Sequence, residues 1–158
     1  SMTQRNGIVE RRTNAMLNIK IRVRNLITKY GTANPRLLAA DLGISIIETD
    51  LPKHIRGFFV RVLRRSCIIL NQALPETGKR IVLCHEIGHS RLHAGYGWRI
   101  QPDCTFFVSC RCEHEANTFA IYLLSHSSDI DADVTAQLLD GRQPNPREVH
   151  AILGRLID

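Results

Sequence analysis

The sequence predicts an α+β fold, a small antiparallel sheet packed on a helical core, in which one helix carries His85-Glu86-Ile87-Gly88-His89. Three observations lead there. Apolar residues recur at helical spacing near residues 13–30 and again beyond residue 79. Between these segments lie two short runs rich in aromatic and β-branched residues, Gly57-Phe58-Phe59-Val60-Arg61-Val62 and Cys67-Ile68-Ile69-Leu70. No repeat, linker or low-complexity stretch divides the 158 residues, so a single domain over 1–158 is expected.

From Thr13 to Tyr30, Leu17, Ile21, Arg24, Ile27 and Thr28 read as the inner stripe of an amphipathic helix, capped by Thr13 or Asn14 and closed by Gly31. A short second helix starts at Pro35, a residue suited to a first turn, and runs through Leu37, Leu38, Ala39 and Ala40 to Gly43. Ile44, Ile46 and Ile47 begin a strand that Leu51-Pro52 ends. The two aromatic and β-branched runs then form strands joined at Arg64-Arg65-Ser66. Leu74-Pro75-Glu76-Thr77-Gly78 reads as a turn, and Lys79 to His93 as a helix with Ile81, Val82, Cys84, Ile87, Gly88 and Leu92 in period. The apolar piece Thr105-Phe106-Phe107-Val108 precedes a helix from Glu113 to Ser125, and short helices occupy about 131–158, the last from Pro146 to Leu156.

With 44% hydrophobic and 23% charged residues, the chain has the usage of a folded globular domain. It contains no apolar run long enough to span a bilayer and no signal-peptide pattern, so no membrane partner and a cytoplasmic location are expected. Five cysteines, Cys67, Cys84, Cys104, Cys110 and Cys112, include no CxxC pair and are read as reduced packing residues. Net charge is +6, and residues 1–36 hold eight Lys or Arg against Glu10 alone. That basic arm reads first as a solvated helix face. It is also a candidate surface for an acidic partner, whereas direct nucleic-acid binding is disfavoured because Tyr30 is the arm's only aromatic residue.

His85-Glu86-Ile87-Gly88-His89 is an HExxH pattern inside an expected helix. Imidazoles at i and i+4 leave one face a turn apart and can reach one small ion, with Glu86 beside them. A catalytic zinc takes three protein ligands and keeps a position for water, whose proton a carboxylate such as Glu86 can accept. One zinc per chain is expected, and other divalent metals suit the same donors. The apolar neighbours Ile81, Val82, Cys84 and Ile87 suggest a buried helix, where lone imidazoles and a carboxylate are costly unless they are coordinated or paired.

The third ligand falls to the next helix. Glu113 shares a face with Ala116, Asn117 and Ala120, while Glu115 points about 160° further round, so Glu113 is preferred and Glu115 is the alternative. Asn117 is expected to hold the other ring nitrogen of a ligating histidine. Gly88, Ala116 and Ala120 would let the two helices approach closely. His114 is read as solvated. Tyr96, His93 and His126 are candidate oxyanion stabilisers, with a role at the helix C-terminus favoured for His93.

His85-Glu86-Ile87-Gly88-His89 followed by Leu92-His93, and then Glu113-His114-Glu115-Ala116-Asn117-Thr118-Phe119-Ala120-Ile121-Tyr122-Leu123-Leu124, resembles the ImmA/IrrE family of bacterial and phage metallopeptidases. Leu37-Leu38-Ala39-Ala40-Asp41-Leu42-Gly43-Ile44 and Ile68-Ile69-Leu70-Asn71 extend the resemblance, which covers roughly Pro35 to Leu124. Members often have Met-Pro where this chain has Ser125-His126. The resemblance implies a zincin of the glutamate-ligand type, with His85, His89 and Glu113 as zinc ligands and Glu86 as general base. It also implies a narrow protein substrate such as a helix-turn-helix repressor. The alternative from another class is a non-catalytic regulatory module that binds and sequesters a repressor or other partner.

Overall fold

A computed structural model describes residues 18–93, 111–127 and 146–157. Among them are five helices and a three-stranded sheet: α1 at residues 18–30, α2 (Pro35–Asp41), β1 (Ile44–Thr49), β2 (Gly57–Val62), β3 (Arg65–Asn71), α3 (Glu76–Leu92), α4 (Arg111–Leu124) and α5 (Pro146–Ile157). The α+β class follows. Thr13, Asn14, Leu17, Thr105–Val108 and the tail before Pro146 lie outside the described residues, as do Cys104 and Cys110.

In α1 the buried stripe is Ile19, Val23 and Leu26, with Ile27 and Tyr30 packed beside it, whereas Ile21 is exposed. The expected stripe through Ile21 and Arg24 is therefore rotated, because this face removes five apolar or aromatic side chains from water. The helix closes with the Gly31 N–H donating to the Ile27 carbonyl at 2.7 Å. Asn34 caps α2, its Oδ1 accepting from the Arg36 N–H at 3.0 Å, and Pro35 takes the first turn. Arg36 then donates to Glu48 on β1 and to Glu76 at the start of α3, at 2.8 and 2.9 Å, which ties three elements at the surface.

The strand order is β1-β3-β2, and the sheet is mixed rather than antiparallel. β2 and β3 form the expected hairpin, but β1 runs parallel to β3, with Ile44 opposite Ser66. The reason is a crossover: residues 50–56 pass the end of β3 and deliver β2 to its far side. Asn71 holds that crossover. Its Nδ2 donates to the carbonyls of Leu51 and Ile55 at 3.2 and 3.0 Å, and its Oδ1 accepts from the Ala73 N–H at 3.0 Å. The hairpin turn is Leu63-Arg64, one residue before the expected joint, since Val62 pairs with Arg65.

α3 begins three residues earlier than its periodicity suggests, with Pro75 as N-cap and Glu76 in the first turn, so the expected turn at Glu76-Thr77-Gly78 is helical. Gly78 fits there because a Cβ would lie 2.7 Å from the Ile157 carbonyl oxygen, where the end of α5 rests on α3. Every residue from Ile81 to His89 is buried. α2, β2, β3, α4 and α5 all contact α3, making it the centre of the molecule. Val149, Leu153 and Ile157 of α5 and Phe119 to Leu124 of α4 complete the core. Of the described cysteines, none of which is in a disulfide, Cys84 is buried, Cys67 half-buried and Cys112 exposed, so Cys112 is not the packing residue expected. No helix among the described residues is long and apolar enough to cross a membrane.

Both hairpin turn residues adopt positive φ, 49° at Leu63 and 68° at Arg64. This is the conformation of a two-residue type I′ turn, which favours Asn-Gly and strains most other residues. Leu63 is 92% exposed and has little packing to lose. The double substitution Leu63→Asn/Arg64→Gly is therefore expected to stabilise the fold by about 1 kcal/mol, read as a raised urea midpoint with an unchanged slope.

Candidate metal centre

α3 and α4 pack along a seam lined by small residues. Ala116 and Ala120 are fully buried, and a Cβ at Gly88 would lie 3.0 Å from the Phe119 ring, so glycine at the fourth position of the pattern is what admits that ring. The close approach brings the first turn of α4 against the middle of α3, placing Glu113 over His85 and His89. Nε2 of His85 lies 3.0 Å from Oε2 of Glu113, Nε2 of His89 lies 2.9 Å from Oε1, and the two Nε2 atoms are 3.1 Å apart. The imidazoles stand edge to face, with centroids 4.6 Å apart and planes at 85°. All three side chains are buried, and Glu86 beside them is 1% exposed.

Protons are short at this seam. Burial drives the His89 imidazole down to about 4 against the pull of Glu113, so near pH 7 the ring is neutral and carries one N–H. Its nitrogens nonetheless face three polar partners: Nδ1 approaches His93 at 3.0 Å, and Nε2 approaches both Glu113 and His85. Burial would raise the Glu113 carboxyl, but hydrogen bonds and charge from His85 and His89 outweigh it and hold the group at about 2. An ionised carboxylate, the neutral His89 ring and the His85 ring thus converge on one point. A cation supplies the missing positive charge without a proton. The spacing suits one: donors about 2.0–2.1 Å from an ion at tetrahedral angles stand about 3.3 Å apart, close to the 2.9, 3.0 and 3.1 Å found here. Among the described residues, His85, His89 and Glu113 are the group that could hold a metal ion.

Comparison with known families agrees with this geometry. The family profile for the IrrE N-terminal-like domain of peptidase M78 matches residues 39–140, a span that includes all of these side chains. The chain belongs to this family. A curated relative, Uncharacterized immunity region protein 2 of Bacillus phage phi105, is 38% identical over 106 residues, which is 67% of this chain and 67% of the relative. No solved structure matches.

The other residues singled out in this M78-family chain fall in several places. Glu115 is not at the ion-binding point; its Oε2 lies 3.1 Å from Nε2 of His93. His93 is the C-cap of α3, and both its ring nitrogens are engaged, by His89 and Glu115, which leaves no donor for an oxyanion. His126 is exposed just past the far end of α4, about 20 Å along the helix from Glu113, too far for that task. Tyr96 lies outside the described residues. Asn117 is buried one turn beyond Glu113, but its Oδ1 has no hydrogen-bond partner among the described residues, so the expected contact with a histidine ring is not made. His114 is half-buried rather than solvated. Sequence reasoning missed Asn71, whose only signal was a polar residue ending an apolar strand. It also missed the contacts of Glu115, whose partner is 22 residues away.

The pH dependence of the metal-free protein follows from these shifts. Between about 6.5 and about 4 the unfolded chain binds a proton at residue 89 that the folded chain does not, so stability falls as pH falls through that window. Glu113 adds a further loss from 4.5 toward 2, for the same sign reason. Thermal melts of chelator-treated protein are expected to show Tm dropping from pH 7 to pH 4, with a shallower drop in His89→Ala.

Proposed function

We propose that this protein is a zinc-dependent endopeptidase that hydrolyses a peptide bond in a narrow protein substrate, such as a DNA-binding repressor. One observation carries the reading. Two imidazole nitrogens and a carboxylate converge within hydrogen-bonding distance in a buried seam, with a second buried carboxylate, Glu86, on the same helix. His85, His89 and Glu113 would hold the ion, a two-nitrogen, one-oxygen set that suits zinc. A zinc ion bound there supplies Lewis acidity, acidifying water and polarising a carbonyl. Glu86 takes the proton of the attacking water and returns it to the departing amine. Burial keeps bulk water from competing for these groups.

The substrate class draws support from two features. The phage relative is named for an immunity region, which fits a repressor as target. On the chain itself, a cavity of about 210 Å³ between α1, the end of α3 and Phe119 is lined by Arg22, Lys29 and Arg91, with no acidic residue among the described residues that line it. An acidic surface of a partner protein would be drawn to it.

Purified protein is expected to hold about one zinc per chain by elemental analysis, with the content near zero in Glu113→Ala. Glu86→Gln should retain the metal and the fold while losing turnover on a cognate repressor by at least about 100-fold. Full activity in Glu86→Gln would instead identify a module that acts by sequestering its partner. Selectivity is a separate expectation: zinc-loaded enzyme should leave casein-like unfolded chains essentially intact and cut the cognate protein at one or a few sites, more slowly as salt rises. Mass spectrometry of timed digests checks both.

A further inference from the structure

From the ion-binding point a polar chain leads back to the surface through residues that do not belong to the three-ligand group. Nδ1 of His89 lies 3.0 Å from Nδ1 of His93. Nε2 of His93 lies 3.1 Å from Oε2 of Glu115, and Oε1 of Glu115 accepts from Nε of Arg111 at 2.7 Å. His93 ends α3, while Arg111 and Glu115 lie one turn apart at the start of α4, so the chain bridges the two helices beside the seam.

With one N–H on each ring, a single placement of protons satisfies the two links outward of the ion-binding point, His89 to His93 and His93 to Glu115, and it leaves the 2.9 Å contact of Nε2 of His89 with Glu113 open for an ion. A carboxylate oxygen accepts and cannot donate, so the ring N–H of His93 sits on Nε2 and its Nδ1 is a lone pair. The 3.0 Å contact between the two Nδ1 atoms then takes its proton from His89. With that proton on Nδ1, Nε2 of His89 is a lone pair aimed at His85 and Glu113. The reverse placement would set a bare Nε2 of His93 against the Glu115 carboxylate and would put an N–H where an ion must bind. We propose that His93 and Glu115 are positioning residues which lock His89 in its Nδ1–H tautomer and hold its ring so that Nε2 is presented to a divalent ion. This rests on the zinc-site reading above and deepens it. Arg111, whose side chain is 83% exposed, steadies Glu115 only weakly, as exposed ion pairs do.

Zinc affinity measured by competition with a chromophoric chelator tests the relay. Glu115→Ala and His93→Phe are each expected to bind zinc about 10–100-fold more weakly than wild type. Glu115→Gln, which keeps an acceptor oxygen for His93, should lose less than Glu115→Ala, and Arg111→Ala should stay within about twofold. In zinc-loaded wild-type protein with ¹⁵N-labelled histidine, one ring proton should correlate with both Nδ1 of His89 and Nδ1 of His93, a signature that a purely structural role would not produce. Wild-type affinity in folded Glu115→Ala and His93→Phe, or a His89 ring with no Nδ1 proton shared with His93, would overturn the relay while leaving the zinc site standing. Absence of zinc binding in wild type itself would overturn both, and His89→Ala serves as the reference for a site that has lost a ligand.

Discussion

Two imidazoles and an ionised carboxylate meet, all removed from water, at the α3–α4 seam, and much of the structure is arranged around that meeting point. Polar groups removed from water are costly unless each finds a partner. Here the cost is concentrated: His85, His89 and Glu113 are all at most 3% exposed and lie within 3.1 Å of one another. A divalent cation is the simplest partner for all three at once, and binding it would draw its free energy from a site already assembled. For such a site to exist, α3 must be buried on every side and α4 must approach it closely. The first requirement is met by helices on several flanks and by the sheet, the second by Gly88 under Phe119.

The sheet contributes position rather than chemistry. Ile68 and Leu70 of β3 are fully buried, and β3 and β2 both reach α3, so the central helix is braced along its length. β3 can occupy the middle of the sheet because the chain crosses from β1 over its end before returning as β2. That crossover exposes loop carbonyls toward the interior, and the Asn71 amide meets two of them directly. A single amide thus ties the crossover to the end of the central strand.

Outward from the ligand set, polarity is graded. His93 and Glu115 are half-buried, Arg111 is exposed, and each link is more hydrated than the one inside it. Such a gradient connects a low-dielectric centre to solvent without leaving an isolated buried charge, because every group in between has a partner on both sides. On another side of the molecule the basic residues of α1 divide between two tasks. Arg22 donates to the Arg91 carbonyl across to α3, while with Lys29 it also lines the cationic cavity. Basic residues of the N-terminal third are therefore partly structural, as Arg36 is at the α2, β1 and α3 junction.

Much of this could be read along the chain. The helical positions of His85, Glu86 and His89, the preference for Glu113 over Glu115, the Pro35 start of α2 and the β2–β3 hairpin all follow from local rules: side chains at i and i+4 share a face, proline suits a first turn, and alternating apolar residues form strands. The family was legible for the same reason, since its motifs lie within two continuous helices. Interactions that depend on how separate elements meet were not legible. The parallel pairing of β1 with β3, the Asn71 bridge, the buried face of α1 and the extension of α3 to Glu76 each depend on a neighbour distant in sequence. The same holds for His93, which has two ring nitrogens and no local rule to choose their partners; only the packing of α3 on α4 brings Glu115 within 3.1 Å of one while His89 takes the other. Periodicity determines which face of a helix carries a residue, but tertiary packing decides what that face meets, and in this protein the proton count at the seam depends on the latter.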